Sequence, residues 1–305
     1  MLGKRLTKNS TIGLVSPASK EKEDTIKSNV EILKNLGFKI KEGKHIYDKY
    51  GYLCGSDKDR ASDIMDMFLD DEVDMILSIR GGYGTMRILP LIDTNIIADN
   101  PKIFGGFSDI TTLLNHFALK CNLTTFHCPM LSSNLNDKFT LESFLNTLLY
   151  GNKPYSIKNP EGFPSECICP GTAEGRLVGG NLSLICSTLG TPYEIDTKDN
   201  ILFIEDVKEE PYKVDRLLTQ LSLAGKLDQC AGLILGQFTN CELPHYERSL
   251  TLQQVFEDIL FSLKKPILMN FMSGHSYPKL TLPIGARVSL NSKTGVISTL
   301  EPVVK

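Results

Sequence analysis

Apolar positions in the first half of the chain alternate between two periods. Residues 11–16, 38–41, 73–79 and 103–107 are short, dense in aliphatic and β-branched side chains, and read as strands. Residues 23–36 carry an amphipathic 3.6-residue repeat stopped by Gly37, a second such stretch runs from a capping Ser56 to Leu69, and 109–120 and 141–150 read as further helices. Strands and helices in alternation imply parallel strands with crossover helices, an open α/β layer whose ligand crevice lies beyond the strands' carboxyl ends. Further on, strands are expected at 174–178, 201–205, 232–235, 267–270, 286–290 and 296–300, with helices at 212–224 and 251–263 and a helix-like apolar run from Gly179-Gly180-Asn181 to Leu189. Between the halves, 151–171 turns to Pro, Gly, Ser, Lys and Cys without a period. The expected organisation is therefore α/β throughout: an N-terminal open parallel α/β sheet domain over 1–150, a linker over 151–172, and a C-terminal mixed α/β domain over 173–305. No internal repeat appears, which excludes a solenoid.

Composition narrows the class. The 305 residues hold 33 Lys+Arg against 36 Asp+Glu, a formal charge of −3, with 41 % hydrophobic and 23 % charged residues, as in an ordinary globular chain. Neutralising nucleic-acid phosphates needs a basic excess, so no nucleic-acid partner is expected. No run approaches the ~20 apolar residues of a membrane span. Near the start only residues 12–15 form an apolar run, too short for a secretion signal, so the expected location is the cytoplasm, with the eight cysteines reduced. The nearest metal-like spacings, Cys167-x-Cys169 and Cys241 with His245, lack the second ligand pair of a zinc site and read as structural thiols.

Three segments carry candidate chemistry. In Gly105-Gly106-Phe107-Ser108-Asp109-Ile110 a strand meets a helix at Ser108. A serine on that sharp turn would lift its hydroxyl above the sheet as a nucleophile, although Ile110 breaks the usual G-x-S-x-G, and a serine before a helix also serves as a plain N-cap. Arg80-Gly81-Gly82-Tyr83-Gly84 follows a buried strand; its amides could hold an oxyanion or form a plain turn, whereas a phosphate cradle lacks its Lys-Ser/Thr ending. A hydroxyl nucleophile needs a base. Of the five histidines, His275 in Ser273-Gly274-His275-Ser276-Tyr277-Pro278 follows an apolar strand end, whereas His116 lies mid-helix and His127 follows a short strand. An acid must orient the imidazole, and Glu205 is the first polar residue after Ile201-Leu202-Phe203-Ile204, with Asp206 beside it.

In these motifs the chain resembles the LD-carboxypeptidases, serine peptidases that include muramoyltetrapeptide carboxypeptidase and the microcin C immunity hydrolases. The resemblance runs nearly end to end: IGLVSPAS at 12–19, SIRGGYG at 78–84, GGFSDIT at 105–111, EGRLVGGNLSLI at 174–185, FIEDVKEEPYKVDRLLTQL at 203–221 and GHSYPKLTLPIGA at 274–286. It implies a triad of Ser108, His275 and Glu205, an oxyanion held by the amide of Asp109 and that of either Gly82 or Gly81, and no metal or cofactor. The implied fold is an N-terminal domain similar to class I glutamine amidotransferases plus a C-terminal domain carrying Glu and His, commonly as a homodimer. The implied activity trims a murein tetrapeptide at the L,D bond before its terminal D-alanine. Two alternatives stand beside it: a hydrolase of aminoacyl-nucleotide adducts, and a non-catalytic binding protein on the same scaffold.

Overall fold

The computed structural model describes all 305 residues. They divide into two compact units, one of Met1–Pro154 with Leu280–Gly285 and Pro302–Lys305, the other of Tyr155–Lys279 with Ala286–Glu301. The strands of the first half are β1 (Thr11–Val15), β2 (Lys39–Glu42), β3 (Met75–Ser78), β4 (Ile103–Gly106) and β5 (Thr125–His127). Those that follow are β6 (Ser156–Ile157), β7 (Glu166–Cys169), β8 (Thr172–Asn181), β9 (Ile201–Val207), β10 (Gly232–Thr239) and β11 (Ile267–Met269), then β12 (Leu282–Ile284), β13 (Arg287–Asn291) and β14 (Val296–Thr299).

In the first unit β5, β4, β3, β1 and β2 lie in that order and all pair in parallel. Strands covered on both faces lose their polar alternation, which is why β3 is buried at all four positions. The helix Glu23–Asn35 buries Ile26, Val30 and Leu33 at the expected helical spacing, and Gly37 at φ +96° turns the chain into β2. Ser56 does cap the next helix, Asp57–Leu69: its hydroxyl accepts from the Asp59 N–H while the Asp59 carboxylate accepts from the Ser56 N–H, a reciprocal capping box. One strand arrives from far along the chain. β12 pairs antiparallel with β5 and closes that edge of the sheet.

The second unit holds an eight-stranded mixed sheet in the order β6, β14, β13, β8, β9, β10, β11, β7. Its centre, β8 to β11, is parallel, and antiparallel strands flank it on both sides. Residues 151–171, without a period in the sequence, supply the edge strands β6 and β7. Leu202 and Ile204 of β9 pack into one apolar cluster with Val214, Leu218 and Leu221 of the helix Pro211–Leu223 and with Val255 and Leu260 of the helix Leu252–Leu260. No helix is long and apolar enough to cross a membrane.

Candidate active site

Ser108 lies two residues past Gly106, the last residue of β4, and its φ is +63°. A side chain in the left-handed region costs about 1–2 kcal/mol, so packing must hold it there. The helix expected from residue 109 accordingly opens as a single 3-10 turn, Ser108–Ile110, before becoming α-helical at Thr111–Lys120. Ser108 caps nothing: the residue before that turn is Phe107, and no side-chain capping bond is made. The break in G-x-S-x-G also has an explanation. A Cβ on Gly106 would stand 2.9 Å from the Ile110 side chain, so the glycine two residues before the serine makes room for the bulky residue two after it.

Gly81 lies against Ser108. A Cβ there would fall 2.9 Å from Ser108 Cβ, 3.1 Å from its Oγ and 3.2 Å from the Asp109 nitrogen, so the backbone of residue 81 packs closely against both hydroxyl and amide and leaves no room for a side chain. Gly82, at φ +111°, turns its own missing side chain toward Ser19. That loop is pinned from three directions. Ser19 N–H donates to the Gly81 carbonyl at 3.3 Å and the Ser19 hydroxyl accepts from Tyr83 N–H at 3.2 Å. Thr85 N–H donates to Asp109 Oδ2 at 2.9 Å, while the Thr85 hydroxyl donates to the Asp109 carbonyl at 2.6 Å. Buried Arg60 donates to the carbonyls of Pro17 and Gly84 and pairs with Asp57. Burial pushes the Asp109 carboxyl up, and the Thr85 hydrogen bonds pull it back down. Sequence patterning passes over Thr85, Arg60 and Ser19, yet Arg60 leaves one trace: it shares the buried helix face of Ala61, Ile64, Met67 and Phe68. Gly81→Ala is expected to fold, because Gly81 is not in the left-handed region, and to lower kcat by about 10²–10³-fold, because its Cβ would press on Ser108 and shift the serine from the Asp109 amide. Turnover within threefold of wild type in a peptide-hydrolysis assay would separate Gly81 from the chemistry at Ser108.

In the second unit, His275 Nδ1 lies 2.7 Å from Glu205 Oε2. The Glu205 side chain is fully buried, and its other oxygen, Oε1, meets no hydrogen-bond donor. The carboxylate's hydrogen bond is therefore made through Oε2 to the imidazole. Gly274, at φ +148°, permits this approach, since a Cβ there would stand 3.2 Å from Glu205 Oε2. Asp206 points to the opposite face of β9, as the two-residue strand period requires. It accepts from Asn181 Nδ2, Ser183 N–H and the Ser183 hydroxyl at 2.8–2.9 Å, anchoring the helix Leu182–Ser187. Burial pushes the Asp206 carboxyl up against the pull of these bonds.

Of the expected residues, then, Ser108, Gly81 and Asp109 gather in the first unit, with Gly82 facing Ser19, and Glu205 pairs with His275 in the second. The other histidines are placed otherwise. His116 is buried and its pKa is pushed down to about 4 by loss of hydration, so it does not gain a proton near neutrality. His127 is buried in β5 against Phe107, and His245 is exposed. None of the eight cysteines is in a disulfide; burial pushes Cys121 and Cys241 up to about 11 and Cys186 to about 12, which leaves those thiols protonated and inert. The one group with metal-ligand spacing is His45, Asp48 and Asp59, a surface cluster in which His45 bonds Asp48 at 2.9 Å.

Comparison with known proteins settles the class as a serine-type hydrolase. Residues 12–128 match the LD-carboxypeptidase N-terminal domain and residues 174–290 the LD-carboxypeptidase C-terminal domain. The chain belongs to the LD-carboxypeptidase family and is a serine carboxypeptidase. It is 44 % identical over 298 residues to a probable murein peptide carboxypeptidase of Bacillus subtilis, covering 96 % of this chain and 93 % of that one. Among solved structures, MccF in complex with glutamyl sulfamoyl guanosine superposes with a TM-score of 0.92 at 27 % identity, covering 100 % of this chain and 99 % of that one. The muramoyltetrapeptide carboxypeptidase of Oxalobacter formigenes superposes with a TM-score of 0.84 at 29 % identity, covering 94 % and 97 %.

Proposed function

We propose that this carboxypeptidase removes the terminal D-alanine of murein tetrapeptides through an acyl-enzyme on Ser108, with His275 as base and Glu205 as its orienting carboxylate. The observation that carries this reading is Ser108 itself, held at φ +63° with its side chain and the Asp109 amide packed against Gly81 and bonded to no helix end. In the reaction, the Ser108 oxygen attacks the scissile carbonyl as His275 takes its proton. Negative charge on the carbonyl oxygen is met by the N–H groups of Asp109 and of the Gly81–Gly82 pair. His275 then gives the proton to the departing D-alanine amine, water attacks the acyl-enzyme with His275 again as base, and Ser108 is regenerated. Glu205 holds the Nδ1–H tautomer throughout and compensates the imidazolium. The substrate assignment rests on likeness to the murein peptide carboxypeptidases. A cytoplasmic setting and a homodimer belong to the same reading.

The MccF complex supplies the second reading, a hydrolase of aminoacyl-nucleotide adducts. Against it, the chain contains no tryptophan to stack on a nucleobase, and 151–171 offers only Tyr155 and Phe163. The test is parallel incubation with a murein tetrapeptide and with an aminoacyl-sulfamoyl adenosine, read by mass. Loss of D-alanine from the tetrapeptide alone is expected; cleavage of the adenosine compound alone would reverse the assignment, and cleavage of neither would point to a binding protein.

A further inference from the structure

We infer that Gln237 is the positioning residue of the His275 loop, set in place by a β-bulge opposite Glu205; this rests on the role proposed above for His275. Along the β9–β10 ladder, Leu235 pairs with Ile204 but Phe238 pairs with Asp206. Two residues of β10, Gly236 and Gln237, therefore stand opposite Glu205 alone. A bulge bends its strand and re-aims the side chain it carries, and bulges gather beside active sites.

The re-aimed side chain spans the loop on both sides of His275. Gln237 Oε1 accepts from Ser276 N–H at 3.0 Å, and Nε2 donates to the Pro278 carbonyl at 3.1 Å and meets Met272 Sδ at 3.5 Å. The Gln237 backbone N–H donates to the Ser273 carbonyl at 3.0 Å. Backbone and side chain of one residue thus fix positions 273, 276 and 278, leaving His275 between fixed points. Gly236 and Gly274 allow the close contact: a Cβ on Gly274 would stand 3.0 Å from Gln237 Cβ, and one on Gly236 would collide with the Ser273 carbonyl. In a regular strand Glu205 would face a single residue of β10 rather than two. The sequence signal is a glycine before a polar residue at the end of the apolar run 232–235, which marks a bulge.

The test substitutes Gln237→Met, similar in length but without amide hydrogen bonds, and Gln237→Glu, which keeps the acceptor for Ser276 N–H. Two readouts are taken on the intact protein. Steady-state kinetics on the tetrapeptide should show kcat reduced by about 10²-fold in Gln237→Met with KM changed less than twofold, because the base is displaced while the binding surface is kept. Gln237→Glu should fall between the two. Proton NMR should show the downfield Nδ1–H resonance of the His275–Glu205 bond, assigned by its loss in His275→Asn, broadened or absent in Gln237→Met. Thermal unfolding checks that both variants fold, and should Gln237→Met not fold, Gln237→Glu carries the comparison. An unchanged resonance together with an unchanged kcat would overturn the inference. The resonance needs no turnover, so a wild type that shows it yet releases no D-alanine would sink the functional reading while the NMR comparison still decides the role of Gln237.

Discussion

Ser108→Ala is expected to lose about 10⁴–10⁶-fold in kcat for D-alanine release while unfolding within a few degrees of wild type. The two halves of that expectation have separate causes. Turnover falls because the variant has no oxygen at position 108, where Oγ lies against the Gly81 backbone. Stability holds because Ser108 makes no capping bond whose loss would cost the usual ~1 kcal/mol. A companion variant sharpens the test. Ser108→Gly removes the left-handed strain of about 1–2 kcal/mol at an entropic cost of about 0.5–1 kcal/mol, so it should be equally inactive and no less stable than wild type. A serine kept for helix capping would give the reverse result, with both variants active and both less stable. Denaturant unfolding and the D-alanine assay, run on the same preparations, separate these outcomes.

Much of this fold is legible in the sequence because burial on both faces writes itself into the chain. β1, β3 and β9 are apolar runs, and Ser56 and Gly37 punctuate the helices they border. Elements at sheet edges leave weaker marks. β7 exposes its first two residues, and β12 has three residues with Pro283 in the middle, a composition that reads as loop unless the partner strand is known. β10 reads only as far as Leu235 because Gly236 and Gln237 interrupt the apolar run where the bulge lies. The candidate site divides in the same way. Ser108, Glu205 and His275 stand out because each ends an apolar strand or sits in a glycine-bearing turn. Thr85, Arg60 and Gln237 act through bonds to backbone groups distant in sequence, and such bonds leave no period to detect. The choice between Glu205 and Asp206 illustrates the limit. The strand period says they face opposite ways, but only the helix cluster on Leu202 and Ile204 tells which face carries which carboxylate.

That division of faces makes the second large effect a paired one. Glu205→Gln should lower kcat by about 10⁴-fold with little change in stability, since an amide no longer enforces the Nδ1–H tautomer or compensates the imidazolium. The amide matches the carboxylate in shape and can still bond the imidazole through either end, so the melting temperature should stay within about 3 °C, roughly 1 kcal/mol for a chain of this size. Asp206→Ala should do the converse. It strips one acceptor from Asn181 and from the amide and hydroxyl of half-buried Ser183, at a cost of about 2–3 kcal/mol, while the His275–Glu205 bond is untouched. Kinetics and thermal unfolding of both variants therefore form a double dissociation between neighbours in sequence. If Asp206→Ala lost turnover without losing stability and Glu205→Gln kept it, the orienting role would move to residue 206, and the 2.7 Å contact between Glu205 and His275 would be structural only.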